Sequence, residues 1–253
     1  MNNRDLQYED IPKICDLEVD LSKNILVQFS LNPMNTIVSN SEGIVDINCV
    51  NYLKKVSENE KFNFDICKEI YTKENNDWKN FNRLIYSLGK MNRLSEQIFD
   101  EIKKVVERYC YYISLDELSL KNSDCKKNRA YTKQDFHKLT FANFKSILSC
   151  ILKTDNSFYE IEGLKEKEDR KNFSRIFNEY ITRRDCYTHG ILYLFLPKKE
   201  PILKIQKDGK EKYIKYQKVD FEVNLKIFLF LYTILRDIGM VIQDKKPSTL
   251  TNS

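Results

Sequence analysis

The chain has 253 residues, which is enough to bury a sizeable hydrophobic core in one large domain or in a domain with a small appendage. Hydrophobic residues make up 42% of the chain and charged residues 31%, a balance that excludes an intrinsically disordered protein. The formal net charge of +5 is compatible with a polyanionic partner but is too small for a dedicated nucleic-acid coat protein.

The cysteines and the apolar segments indicate the cellular compartment of the protein. The 7 cysteines are odd in number, widely spaced and without a C-x-x-C pair, which argues against a zinc ribbon or a disulfide framework. The N-terminus, residues 1–5, runs straight into polar sequence without an apolar stretch and does not resemble a secretory signal. The longest apolar run, 227–235, is far shorter than the roughly 20 residues that span a bilayer. We therefore expect a cytoplasmic protein with no membrane segment.

Residues 1–75 have mixed character, and we predict a small α/β region of unknown role. Segments 24–29 and 43–47 have the composition of β-strands, while 48–57 and 64–71 have the pattern of helices. This region could regulate, sense a signal or bind a partner, and its residues do not choose among these roles.

From residue 76 the apolar residues recur at steps of three and four, which is typical of amphipathic helices. The first predicted helix covers 77–112, and Gly89 is a candidate kink. A second is predicted to open at Thr132, because Asp135 three positions later completes the pattern of a capping box. Its predicted buried positions are Phe136, Leu139, Phe144, Ile147, Leu148 and Ile151.

The third predicted helix starts after Gly163 and continues to Phe195, where Pro197 ends it. Segments 202–206 and 212–217 alternate apolar and polar residues about a turn at 207–210, which predicts a β-hairpin. A fourth helix is predicted over 221–242, capped by Asp220.

These elements predict a mainly α fold, namely an antiparallel four-helix bundle over 76–245 with a hairpin at 201–217 inserted between the third and fourth helices. Residues 246–253 are expected to form a polar tail. We see no internal repeat.

The segment Arg184-Asp185-Cys186-Tyr187-Thr188-His189 is the strongest candidate for chemistry. Asp185 precedes His189 by four residues and therefore lies on the same helical face, where its carboxylate can hold or polarise the imidazole. Arg184 adds a permanent cation, and its planar guanidinium suits a phosphate. A base or acid, a carboxylate that orients it, and a cation are the groups that cleavage of an RNA phosphodiester needs.

The spacing poses a geometric difficulty. Five residues at about 100° each separate Arg184 and His189 by roughly 140° around an ideal helix. The reach of arginine, a distortion near Gly190, or a second copy of the motif across a dimer axis would each resolve this. A dimer would also supply a second histidine as the acid for the first histidine's base. Cys186 is interpreted as a packing residue, and the only other histidine, His137, as a surface residue.

With four residues between Arg184 and His189 and the polar Asp185 directly after the arginine, the segment resembles the R-x4-6-H signature of the HEPN superfamily. The resemblance covers about residues 77–243. It implies a four-helix bundle, a homodimer whose paired motifs form one cleft, and RNA cleavage that needs no metal and leaves a cyclic phosphate. Some HEPN toxins carry a modifiable tyrosine two residues after the histidine; here that position is Ile191.

A basic segment follows the motif. Residues 198–218 contain eight lysines with Tyr213 and Tyr216 between them. Lysines hold phosphates and tyrosines stack on bases, so this hairpin could guide single-stranded RNA, or it could be an edge hairpin protected by lysines. The predicted RNA-binding residues are Arg183, Lys204, Lys212, Tyr213 and Lys215.

Three functions remain open at this point. The first is an endoribonuclease without metal or other cofactor that cleaves single-stranded RNA or tRNA loops as a homodimer, in antiviral defence, abortive infection or a toxin system with a neutralising or sensor protein. The second is a non-catalytic helical scaffold that binds RNA or a protein. The third, a helical DNA-binding regulator, is least supported because no helix-turn-helix with a basic recognition helix stands out.

Overall fold

The computed structural model describes residues 5–19, 25–28, 37–40, 43–46, 76–113, 133–196, 200–207, 209–215 and 217–244. Four α-helices lie in this part of the chain: α1 (Asn76–Tyr112), α2 (Phe141–Thr154), α3 (Lys167–His189) and α4 (Lys218–Asp244). Short 3-10 helices cover Tyr8–Asp10, Lys133–Lys138 and Asn156–Glu160. The strands are β1 (Cys15–Leu17), β2 (Ile25–Gln28), β3 (Ile37–Asn40), β4 (Gly43–Asp46), β5 (Ile191–Leu196), β6 (Glu200–Lys207) and β7 (Lys210–Lys215).

The mainly helical class is therefore confirmed, and the chain also forms antiparallel β-structure. The larger sheet has the strand order β1-β7-β6-β5-β2, with every neighbouring pair antiparallel. Strands β3 and β4 pair with each other in a separate two-stranded sheet. The chain divides into two compact units, which we call the helical unit (1–12, 93–184 and 222–253) and the sheet unit (13–92 and 185–221). This division does not coincide with the predicted boundary at residue 75.

The helical unit is held together by one apolar core to which all four helices contribute. Its fully buried residues include Ile98, Ile102, Phe144, Ile147, Ile176, Phe177, Ile234 and Ile238. The aromatic residues of this core pack edge to face, as in the pair Phe141 and Phe177, whose ring centroids are 5.7 Å apart. The apolar positions at helical spacing thus face one shared interior.

The start of α2 differs from the prediction. Thr140 is the N-cap, its hydroxyl accepts the Asn143 N–H at 3.3 Å, and the Asn143 side chain accepts the Thr140 N–H at 3.0 Å. The predicted start of α2 is wrong, because residues 133–138 form a 3-10 helix before α2 begins; Thr132 itself lies outside the described residues. The six predicted apolar positions are nevertheless all buried. Cys150, also buried in this core, is disulfide-bonded, which the cysteine spacing did not predict.

The first described residues, 5–12, are part of the helical unit. Ile11 is buried in its core. The Asn172 side chain on α3 accepts the Tyr8 N–H at 2.8 Å and donates to the Leu6 carbonyl at 2.9 Å. The predicted strands at 24–29 and 43–47 are found as β2 and β4, while the predicted helices at 48–57 and 64–71 lie outside the described residues.

The sheet unit contains the predicted hairpin. Strands β6 and β7 pair with Lys207 opposite Lys210, and Gly209 has φ of +73°, a left-handed conformation that suits glycine in a tight turn. The hairpin is not an isolated insertion, because β1 pairs with β7 and β5 pairs with β6. The core of the sheet unit contains Leu84, Met91, Cys186, Tyr187, Leu203, Ile205 and Ile214.

The predicted end of the third helix is wrong. Helix α3 stops at His189, and residues 191–196 form β5, which pairs with β6 on one side and β2 on the other. The run Ile-Leu-Tyr-Leu-Phe-Leu is apolar throughout, and periodicity alone does not distinguish a buried strand from a helix in so short a run. Hydrogen bonding to β2 and β6 stabilises this run as a strand.

Candidate functional site

The candidate motif occupies the last two turns of α3. The helix is continuous through His189, and the Gly190 N–H donates to the Cys186 carbonyl at 2.9 Å. The chain then enters β5 at Ile191. Because α3 remains helical across the motif, a distortion within it does not bring Arg184 and His189 onto one face, and the rotation of roughly 140° between them remains.

Asp185 and His189 are both exposed, whereas Cys186 and Tyr187 between them are buried in the core of the sheet unit. Residues four apart share a helical face, so the carboxylate and the imidazole lie on the exposed side of this turn. The prediction was that the acid and the histidine share one helical face, and the exposure of both side chains is consistent with it. Cys186 is a packing residue, as predicted from its lack of an activating base.

Arg184 lies in the helical unit, where its side chain is 24% exposed. Its Nη2 is 3.6 Å from Oε1 of Glu96 on α1, and the Glu96 side chain is 63% exposed. An ion pair this open to solvent contributes little to stability.

Two residues that contact the motif were not predicted from the sequence. Glu96, already described, pairs with Arg184, and Asn92 accepts a hydrogen bond at its Oδ1 from the Thr188 hydroxyl at 2.9 Å. This bond anchors the residue directly before His189 to α1. Both partners lie about ninety positions away in the chain, and nothing in their local sequence marks them as neighbours of the motif.

Arg183 does not belong with the predicted RNA-binding residues. Its side chain is 0% exposed, its Nε donates to Oε1 of Glu179 at 2.8 Å, and its Nη2 donates to the Pro12 carbonyl. This Glu179 pair lies inside the helical unit rather than on a surface. A buried guanidinium with these partners is a structural cation and is not available to RNA.

The remaining predicted RNA-binding residues lie on the hairpin, on two different faces. Lys204 is opposite Tyr213, and Lys215 is two positions further along the same strand, so these three share one face of the sheet. Lys212 directly precedes Tyr213 on β7 and therefore points to the other face of the sheet. Its Nζ is 3.9 Å from Oδ2 of Asp16 on β1.

The face with Lys204 connects directly to the motif. Ile191, two residues after His189, lies opposite Lys204, which in turn lies opposite Tyr213. Adjacent strands are about 4.8 Å apart, so Tyr213 is roughly 10 Å across the sheet from Ile191. The Lys204 Nζ is 2.6 Å from Oε1 of Glu211, and an RNA phosphate would have to compete with that carboxylate.

Tyr180, one turn before Arg184, has an altered acidity. Burial raises the pKa of its hydroxyl to about 12, although a hydrogen bond with Ser95 and the charge of Arg184 act in the opposite direction. The phenol is therefore neutral at physiological pH, and it is a packing and hydrogen-bonding group rather than a base.

Among the described helices, none combines the length and the apolarity that crossing a bilayer requires. His137, the histidine outside the motif, is exposed on the 3-10 helix before α2, as predicted for a surface residue.

The chain matches no protein-family model, and comparison with curated proteins and with solved structures finds no significant similarity.

Proposed function

We propose that the protein is a metal-independent endoribonuclease of the HEPN type, which cleaves single-stranded RNA or tRNA loops with Arg184, Asp185 and His189. The observation that carries this proposal is the exposure of Asp185 and His189 on one face at the C-terminal end of α3, next to a partly accessible Arg184. These are the groups that phosphodiester cleavage needs. The four helices of the helical unit would correspond to the HEPN bundle.

In the proposed reaction, His189 of one copy removes the proton from the ribose 2′-hydroxyl, and the 2′-oxygen attacks the adjacent phosphorus. The bond from phosphorus to the 5′-oxygen breaks, and a second imidazole protonates that leaving oxygen. The products are a 2′,3′-cyclic phosphate and a 5′-hydroxyl. Arg184 neutralises the charge that develops on the non-bridging oxygens, and Asp185 orients the imidazole.

A homodimer would provide the second imidazole and would remove the geometric difficulty within one helix. Since Arg184 and His189 are separated by roughly 140° around α3, one copy supplies them poorly to a single phosphate. Two copies arranged about a two-fold axis place the arginine of one near the histidine of the other. Lys204 and Tyr213 lie side by side on the sheet, next to Ile191, which is two residues after His189. These two side chains would hold the RNA beyond the cleaved bond.

The proposal is tested with purified protein, excess EDTA and a fluorescently labelled single-stranded RNA. Wild-type protein is expected to cleave with EDTA present and to leave a cyclic phosphate. His189→Ala should lower the rate at least about 100-fold through loss of the base, and Arg184→Ala by a similar factor through loss of charge stabilisation. His137→Ala is the matched control, because it removes an exposed histidine outside the motif and should leave the rate unchanged.

Equal EDTA-resistant cleavage by wild type and His189→Ala would contradict the proposal, since the activity would then come from elsewhere. Absence of cleavage together with RNA binding that depends on Lys204 and Tyr213 would instead favour the non-catalytic scaffold. The setting in antiviral defence or a toxin system is part of the same proposal, and expression of wild type against His189→Ala in a bacterial host tests it through growth arrest.

A further inference from the structure

The helical unit contains a cavity of about 530 Å³ formed by α2, α3 and the 3-10 helix between them. This volume is within the range of about 300–1,000 Å³ that is usual for small-ligand sites. Buried Leu152 and Phe173 contribute apolar surface, and Ser149 and Ser174 contribute hydroxyl groups. The cavity shares no residue with the Arg184–His189 motif.

The charge of the cavity has one sign. Of the described residues that line it, four are cationic and none is acidic: Lys153, Lys167, Arg170 and Lys171. Lys167, Arg170, Lys171 and Ser174 follow one face of α3 at steps of three and four, so they all point toward the same space. Lys153 comes from the last turn of α2 on the opposite wall.

Arg170 is held in place by the turn before α3. Its Nη1 donates to the carbonyls of Leu164 at 2.8 Å and Lys165 at 2.7 Å, and its guanidinium carbon is 3.7 Å from the centroid of the Tyr159 ring. A cation fixed by two carbonyls and an aromatic ring is preorganised, which lowers the entropic cost of binding an anion. The stacked Tyr159 and Arg170 also offer a flat surface of the kind on which a nucleobase stacks.

The position at the beginning of α3 adds to the positive potential. Lys167 is the first residue of α3, a helix of 23 residues, and its N-terminal end carries partial positive charge. Glu168 lies 2.7 Å from the Nζ of the lining residue Lys171, where a bound phosphate would have to compete with it, and Asp169 accepts the Glu166 N–H at 3.0 Å. The Glu168 pair is highly exposed and therefore weak.

We propose that this cavity binds a nucleoside polyphosphate, with Lys153, Lys167 and Lys171 on the phosphates and the Tyr159–Arg170 stack against the base. Lysines and the positive end of a helix recognise phosphate charge. The site is independent of the ribonuclease proposal, because none of its residues takes part in the cleavage reaction. It would make the helical unit a receptor for a soluble nucleotide.

The test measures binding of ATP, pyrophosphate and adenosine by isothermal titration calorimetry to the full chain carrying His189→Ala. ATP should bind most tightly, pyrophosphate more weakly, and adenosine most weakly, and the ATP affinity should fall as salt rises. The triple variant Lys153→Gln, Lys167→Gln and Lys171→Gln should weaken ATP binding at least about tenfold, because it removes the charge-assisted hydrogen bonds.

The matched control is Lys103→Gln, Lys104→Gln and Lys226→Gln, which removes three lysines from other helical positions in the same unit. Lys103 and Lys104 are also paired with helical acids, as Lys171 is. This control changes the net charge equally and should leave the ATP affinity within about twofold. The proposal fails if ATP does not bind, if adenosine binds as tightly as ATP, or if both triple variants weaken binding alike. RNA cleavage is not read in this experiment, so its failure leaves the ribonuclease proposal intact.

Discussion

Arg183 and Arg184 are neighbours in the sequence, yet they have different surroundings. The Arg183 side chain is fully buried against Glu179 and the Pro12 carbonyl, while the Arg184 side chain is 24% exposed beside Glu96. Successive residues on a helix are rotated by about 100°, so one faces the interior and the next faces the rim. The two cations therefore have separate roles, and a variant of each should report a different property.

Arg183→Ala is expected to destabilise the protein by about 3 kcal/mol, because it leaves the Glu179 carboxylate and the Pro12 carbonyl without this cation. Urea denaturation followed by circular dichroism measures the free energy of unfolding. Arg236→Ala, which removes an exposed arginine from α4, should change it by no more than about 0.5 kcal/mol. Similar small changes for both variants would show that the buried pair does not stabilise the fold.

At the scale of elements, the end of α3 decides how the motif is presented. Helix α3 ends at His189 because Gly190 allows a close approach that no other residue would permit without a shift. A Cβ on Gly190 would lie 2.5 Å from the Cys186 carbonyl oxygen and 3.1 Å from Cβ of Leu203 on β6. The helix can therefore turn directly into β5, and His189 remains at the accessible end.

Gly190→Ala is expected to lower the free energy of unfolding by about 1–3 kcal/mol, because backbone atoms must move to accept the new methyl group. Gly89→Ala is the matched control: Gly89 lies inside α1, and among the described residues no atom beyond the adjoining helix backbone lies within 4 Å of the added Cβ. That substitution should raise stability by about 0.5–1 kcal/mol, since alanine loses less conformational freedom in a helix. Thermal or urea unfolding of the two variants should give changes of opposite sign, and changes of the same sign would refute the crowding argument at Gly190.

At the scale of the whole molecule, the proposed dimer predicts how activity changes when two different inactive variants are mixed. If Arg184 of one copy acts with His189 of another, a mixed dimer of two inactive variants contains one arginine and one histidine that can meet. If both groups act within one chain, no mixed dimer has a complete pair. The two arrangements therefore differ in a measurable way.

Arg184→Ala and His189→Ala proteins, each inactive, are expected to regain a fraction of the wild-type RNA cleavage when they are co-refolded or co-expressed. The mixed dimer has one complete arginine–histidine pair but lacks the second imidazole, so water must protonate the leaving oxygen and the rate stays below that of wild type. Initial rates on labelled RNA in EDTA, compared with the sum of the separate variants, give the measure. As a control, Arg184→Ala mixed with a double Arg184→Ala and His189→Ala variant should stay inactive. Activity of the first mixture at the level of the separate variants would argue against a site shared between copies.

The shared helical face of Asp185 and His189 followed from local information, as did the mainly helical class and the β6–β7 hairpin. Helical periodicity places residues four apart on one face, and alternation around a glycine turn pairs two strands, whatever the rest of the chain does. The buried positions of α2 and α3 were predictable for the same reason. Each of these features depends on residues within a few positions of one another.

Other features depended on residues far apart in the chain. The strand at 191–196, predicted as helix, acquires its form from pairing with β2 and β6. The burial of Arg183, the proximity of Glu96 to Arg184 and of Asn92 to Thr188, and the gathering of four cations around one cavity all arise from packing between separate helices. The sequence by itself determined which elements could form and where a reactive motif lay, because those depend on local periodicity and spacing. Only the tertiary structure decided which neighbouring cation is buried and which is accessible, because burial depends on contacts with distant parts of the chain.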